Sequence, residues 1–253
     1  MPSRDAYLRV MAATTLADRA LLRISGDDPR GFLQGLVTAD LDEVVPGQPR
    51  WSGLLTAQGK VLFDFLLWDD AESSSGAILI DCEADRAEAL ARRLALYRLR
   101  RAITLDPVAE LAVHWSLDAA DRPRDPRLPA LGTRWLAPPG EPAQGWLAHR
   151  LSLGVTEGLA ELGDGSILWL EANARELGGV SFTKGCFIGQ ENTARMHHRS
   201  KVNRRLVVAP IAEAGARTMT RHEALGVMIE HRRVDALGDA LRPAWLAAAL
   251  EDA

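Results

Sequence analysis

Between Leu168 and Glu191 the chain gathers side chains able to do chemistry: a thiol at Cys186, an amine at Lys184, carboxylates at Glu171 and Glu191, and an amide at Gln190. Glycines punctuate the same stretch at 178, 179, 185 and 189, and such spacing permits tight turns and close approach of backbone to a ligand. A thiolate is a nucleophile and a soft-metal ligand, and cations nearby in sequence (Lys184, Arg195, His197, His198) favour that form of Cys186. The plainer alternative is a turn cluster between a strand and a helix, with an inert buried cysteine. Cys82, at the end of an apolar run, suits that description well.

A second chemical position is Asp64, inside the apolar run Val61 to Trp68. A carboxylate on the face shared with Leu62 and Leu66 needs a partner if it is buried; a place at a strand edge is the alternative. His197 and His198 are adjacent, which points them apart on either a helix or a strand, and no His-x-x-x-His or Cys-x-x-Cys spacing occurs. No metal site is expected. With Arg195, Arg199, Lys201, Arg204 and Arg205 the two histidines form a basic run that reads as a solvated surface, with docking of an acidic partner left open.

The elements that must position these groups can be read from patterning. Asp28 and Pro29 suit an N-cap and first helical position, and Phe32, Leu33 and Leu36 share a face, which predicts a helix from Pro29 to Val37. Val61 to Trp68 reads as a strand covered on both faces, paired with Trp51 to Thr56 through an Ala57-Gln58-Gly59 turn, and Gly76 to Cys82 reads as another strand. Ala87, Leu90, Ala91, Leu94 and Tyr97 follow helical spacing. Residues Ala119 to Glu141 read as an irregular connection, and strands are expected at Arg205 to Pro210 and Ala224 to Glu230, before an apolar tail with Trp245 and Leu246.

Lys184-Gly185-Cys186-Phe187-Ile188-Gly189-Gln190-Glu191 resembles the K-G-C-Y-x-G-Q-E signature of the YgfZ-type folate-binding proteins, relatives of the glycine-cleavage aminomethyltransferase linked to iron–sulfur enzymes. Gly31 to Asp40 resembles that family's F-L-Q-G-x-x-T-x-D segment, Leu54 to Lys60 its L-x-T-x-x-G-[RK] segment, and Tyr97-Arg98-Leu99-Arg100 its Y-x-x-R pattern before a strand. The likeness covers roughly Leu21 to Arg205, with Phe187 standing where tyrosine is usual. It implies an α+β fold: an aminomethyltransferase-like, folate-binding body of sheet-bearing lobes around a central hole (residues 1–200), followed by a short C-terminal β-barrel-like module (201–253).

The same resemblance implies tetrahydrofolate or a derivative as cofactor, with iron–sulfur client or assembly proteins as partners. Glu171 falls where the family binds the pterin, whose N–H pair a carboxylate can accept bidentately. Arg98, Arg100, Arg101 and Arg150 are candidates for the carboxylates of the folate tail, each with a helix-end, solvated alternative, and Gln190 and Glu191 join Glu171 as expected cofactor contacts. Cys186, Lys184 and Asp64 are the expected catalytic groups. One thiol cannot hold a permanent cluster, which takes several Cys or Cys with His. The leading expectation is thus a folate-binding accessory factor for iron–sulfur cluster assembly or repair. A folate-dependent aminomethyl transferase using Asp64, or a scaffold without folate, are the alternatives.

Composition agrees with a globular protein: 253 residues, 47% hydrophobic, 25% charged. A formal charge of -4 supplies no global basic field for nucleic acid or an anionic membrane. Two cysteines argue against a disulfide framework, and no apolar run approaches the ~20 residues of a membrane span. With no signal-like stretch in its first residues, the chain is expected to be cytoplasmic.

Overall fold

The computed structural model describes residues 13–71, 73, 76–199 and 202–251. Residues 1–5, used above to judge targeting, and Lys201 of the basic run lie outside them. In chain order the elements are β1 (Arg19–Gly26), α1 (Pro29–Gln34), β2 (Arg50–Leu55), β3 (Val61–Asp69), β4 (Ile78–Glu83), α2 (Ala87–Ala95), β5 (Ile103–Val108), β6 (Ala112–Ser116), β7 (Thr133–Ala137), α3 (Trp146–Ser152), α4 (Leu159–Leu162), α5 (Gln190–Arg199), β8 (Arg204–Pro210), β9 (Thr218–His222), β10 (Val227–Arg233) and α6 (Ala244–Glu251). The chain forms two compact units: Met1–Leu33, Leu41–Arg50 and Phe65–Trp146 make the first, and Gln34–Asp40, Trp51–Asp64 and Leu147–Ala253 make the second.

In the first unit the end of β3 pairs with β4, β4 with β1, and β1 with β5, all antiparallel, in registers such as Leu66↔Asp81, Leu22↔Ile80 and Leu22↔Pro107. Strand β4 is buried from Ile78 to Cys82, as an apolar run flanked by neighbours on both sides should be. Cys82 is buried there, its thiol 3.8 Å from the Ala20 carbonyl. Asp81 receives Arg19 at 2.7 Å and Arg134 at 2.9 Å, and Asp125 receives Arg127 at 2.8 Å, with these side chains at 0–1% exposure. Pairing is what allows charges so deep. This ladder also explains β7, which pairs with β6 inside the stretch read as irregular: buried Arg134 replaces the apolar residue that would have marked a strand.

In the second unit α1 ends at Gln34, three residues short of the sequence reading, because Val37 bridges to Leu54 and the Thr38 amide donates to the Gly53 carbonyl at 3.1 Å. Strand pairing has claimed the last helical turn. Toward the C-terminus β8, β10 and β9 lie in that order, antiparallel, with Ile229↔Val208 and Ile229↔Thr220 in register. Val207, Ala209, Met228, Leu237, Ala240 and Leu246 form the core beneath, and α6 supplies Trp245, whose indole N–H donates to the Leu153 carbonyl at 2.9 Å. The sheet is open, so the expected barrel-like closure is not seen among the described residues. The strand expected from Ala224 begins at Val227, because Glu223–Leu225 is a 3-10 turn ended by Gly226 at φ 64°.

Candidate functional site

The octapeptide spans the loop before α5 and that helix's first two residues, Gln190 and Glu191, and the second unit fixes both ends of the loop. Upstream, the Gly179 carbonyl accepts from the Thr38 hydroxyl at 2.6 Å and from the Trp169 indole at 2.9 Å. A Cβ at Gly179 would stand 2.5 Å from the Trp51 ring, so only glycine lets this turn lie on the Trp51–Trp169 pair, whose rings are 4.6 Å apart. The Ser181 amide then donates to the Thr38 carbonyl at 3.0 Å. Lys184 is buried, and its ammonium donates to the carbonyls of Val37 at 2.8 Å and Ala39 at 2.6 Å, 5.5 Å above the Phe187 ring. Downstream, Gly189 has φ 85° and its Cα faces the Thr56 carbonyl and Gly59 so closely that a Cβ would come within 2.6 Å. Gly59, Thr56 and Gly189 therefore dock the hairpin of β2 and β3 against the start of α5.

Between these anchors Gly185 and Cys186 are exposed, and a Cβ on Gly185 would meet open space. The thiol is thus accessible on a backbone held on either side. The Lys184 ammonium, expected beside it, points inward and serves as an anchor. Along α5, Gln190 is half-buried, Glu191 is exposed and pairs with Arg195 at 2.9 Å, and His197 stacks on Phe182 with ring centres 3.7 Å apart. Burial, with Arg175 and His198 adding to it, pushes the His197 pKa below its ordinary value.

Glu171 sits in a run of turns. Its carboxylate, 13% exposed, lies 3.2 Å from Nε2 of buried His231 on β10 and accepts a long bond of 3.4 Å from the Leu168 amide. Asp64 is buried in β3, where Oδ2 accepts from the Trp51 indole at 3.1 Å and Oδ1 from the Gly158 amide at 3.1 Å. Arg150 is buried and forks onto Glu161 at 2.7 and 2.8 Å while also donating to the Val155 carbonyl at 2.7 Å. Burial pushes the Glu161 carboxyl up, but Arg150, His222 and the Glu157 amide more than offset it and hold the carboxyl below the usual range.

Asp64, Arg150, Glu171, Lys184, Cys186, Gln190 and Glu191 all belong to the second unit, while Arg98 belongs to the first, exposed, donating to the Ile103 carbonyl at 3.1 Å. Thr38, Trp51, Trp169 and His231 were missed. Thr38 stands inside the quoted F-L-Q-G segment and Trp51 opens the strand read before Thr56, so both were adjacent to recognised motifs. Trp169 lies inside the Leu168 to Glu191 stretch, two residues before Glu171, while His231 carried no local signal.

No family model matches the chain. In sequence it is 37% identical over 232 residues to the iron–sulfur cluster assembly factor IBA57, mitochondrial, of Homo sapiens, covering 77% of this chain and 65% of that protein. The Mus musculus counterpart is 34% identical, covering 76% and 64%, and the homolog of Neurospora crassa is 31% identical, covering 80% and 54%. The chain therefore spans less than two thirds of the length of these relatives. All three are mitochondrial by name, which overturns the cytoplasmic expectation: two cysteines and an unremarkable start to the chain do not identify a compartment. Among solved structures, the glycine cleavage system aminomethyltransferase T from Bartonella henselae superposes with a TM-score of 0.60 at 15% identity, covering 90% of this chain and 80% of that one. In sequence the chain is thus similar to the IBA57 iron–sulfur cluster assembly factors, and its fold is that of an aminomethyltransferase.

Proposed function

We propose that this protein is an accessory factor in iron–sulfur cluster assembly or repair that binds a tetrahydrofolate and offers Cys186 to cluster or client. The observation that carries the reading is the exposed Cys186 between two fixed loop ends. A thiolate that takes part in handing over a cluster must reach out of the protein while its backbone stays put. In such an exchange the Cys186 thiolate supplies an electron pair to an iron of the cargo as the donor's ligand departs with its own pair. No oxidant is consumed, and the thiol proton goes to solvent.

Folate is supported by the aminomethyltransferase fold and by Glu171. The carboxylate is mostly shielded, and its Oε1 takes no hydrogen bond among the described residues, so it retains acceptor capacity for the N–H pair of a pterin. Arg150 does not suit the tail, since Glu161 and Val155 occupy its fork. Asp64, holding Trp51 and Gly158, supports a positioning role over aminomethyl transfer.

Two measurements test the reading separately. Calorimetric titration of tetrahydrofolate under anaerobic, reducing conditions should show saturable binding that Glu171→Gln abolishes; no binding to the wild type would remove folate from the proposal. In cells lacking their own copy, the wild type should restore iron–sulfur enzyme activity and Cys186→Ala should not. Equal rescue by both would remove the thiol.

A further inference from the structure

The turn after α2 joins features that a solvated loop does not need. Leu96 is 67% exposed and Leu99 is 91% exposed, and Leu99 holds φ 52°, in the left-handed region that a leucine adopts only under strain. The turn is closed by Arg101 N–H donating to the Arg98 carbonyl at 2.9 Å, and braced by the Arg98 guanidinium on the Ile103 carbonyl at 3.1 Å. Leu99 is therefore held outward on a hydrogen-bonded turn with no packing of its own to offset the strain. Arg100 and Arg101 follow it, both exposed, and among the described residues neither guanidinium has an ion pair or hydrogen bond. This local positive charge runs against the chain's net charge of -4.

We propose that the tip Leu96–Arg101 is a docking surface for a partner protein segment in which Asp or Glu residues flank an apolar side chain. The carboxylates meet Arg100 and Arg101, and the apolar residue covers Leu99 and Leu96. Charge complementarity selects an acidic occupant. The two exposed leucines favour peptide over phosphate or nucleic acid, because apolar contact adds nothing to a phosphate, and Tyr97, the tip's aromatic ring, already lies beneath Arg93 at 5.9 Å. The proposal does not rest on folate binding or on Cys186.

The test uses the full chain and three labelled probes at low ionic strength: the peptide Asp-Glu-Leu-Phe-Glu-Asp, hexaglutamate, and a six-nucleotide RNA. The mixed peptide should bind saturably and tightest. Binding should fall about 10-fold in the Arg100→Glu/Arg101→Glu variant and by at least about 10-fold in Leu99→Gly, as expected for a buried leucine. Glycine suits φ 52°, so Leu99→Gly should fold at least as well as wild type, and its loss of binding cannot be laid to unfolding. No binding of the mixed peptide, equal binding by Leu99→Gly, or tighter binding of hexaglutamate or RNA would each overturn the proposal.

Discussion

The Lys184 ammonium donates to the Val37 carbonyl at 2.8 Å, across 147 residues of sequence. With the second bond to Ala39 it anchors the upstream end of the loop that carries Cys186. Replacing it by methionine strands two buried acceptors, each worth about 1–3 kcal/mol. Lys184→Met should lower the melting temperature by at least about 4 °C and make the loop a preferred site of limited proteolysis. Unchanged melting and digestion would show that the anchor is dispensable.

Gly185 and Gly189 make a matched pair. Gly189 holds φ 85° with its Cα against the Thr56 carbonyl, whereas a Cβ at Gly185 would touch nothing. Gly189→Ala should destabilise by more than about 1 kcal/mol, and Gly185→Ala should change stability by less than about 0.5 kcal/mol, read from urea midpoints at constant slope.

Asp64 accepts from both the Trp51 indole and the Gly158 amide. Asparagine has one carbonyl oxygen, so Asp64→Asn leaves one of those buried donors unsatisfied, at about 1–3 kcal/mol. Weakened stability with a shifted tryptophan emission is the expected result. An unchanged spectrum would place Trp51 outside the effect.

Glu161 and Asp125 contribute to the acid limb of stability. Burial raises each carboxyl, yet Arg150 at Glu161, and Arg127 with Arg134 at Asp125, leave both below the usual range. A carboxyl with a depressed folded pKa stabilises fully above its unfolded pKa of about 4 and loses that contribution as pH falls through the folded value. Acid unfolding below about pH 4 should therefore be steep, and Glu161→Gln should flatten that limb while lowering stability at neutral pH by up to about 3–5 kcal/mol, because the buried Arg150 loses its forked partner and keeps the more distant Glu157, 4.0 Å from its Nε.

His197 should titrate below about 6.5, its ordinary value. Removing one of the cationic contributions with Arg175→Ala should raise its pKa, while the half-buried stack on Phe182 keeps it depressed. Ring-proton shifts followed by NMR across pH 4 to about 8 report both.

Patterning reached the elements whose apolar residues face a core on a regular period: β3, β4, α2 and β8 lie close to where alternation or helical spacing put them. It failed where polar groups do the packing. In β7 the buried Arg134 reads as a loop residue, and β9, Thr-Met-Thr-Arg-His, has no apolar alternation at all. The candidate site divides in the same way. The octapeptide and the need of Asp64 for a partner were legible locally. The partners were not: Gly158 lies 94 residues from Asp64, and Ala39 lies 145 from Lys184. Nothing in one sequence tells a lysine aimed at a thiol from one aimed at two distant carbonyls.

The second unit draws on Gln34–Asp40 and Trp51–Asp64, yet most of it arrives only from Leu147 onward. During synthesis those two early segments, which bridge each other through Val37 and Leu54, must therefore wait for their C-terminal partners while more than eighty intervening residues are made. The loop that carries Cys186 is anchored upstream where Lys184 meets Val37, so that anchor cannot form before residue 184 has been made. The setting of the thiol is thus held by two segments made far apart in time, and a chain lacking Gln34–Asp40 would carry Cys186 on a loop without its upstream lysine anchor.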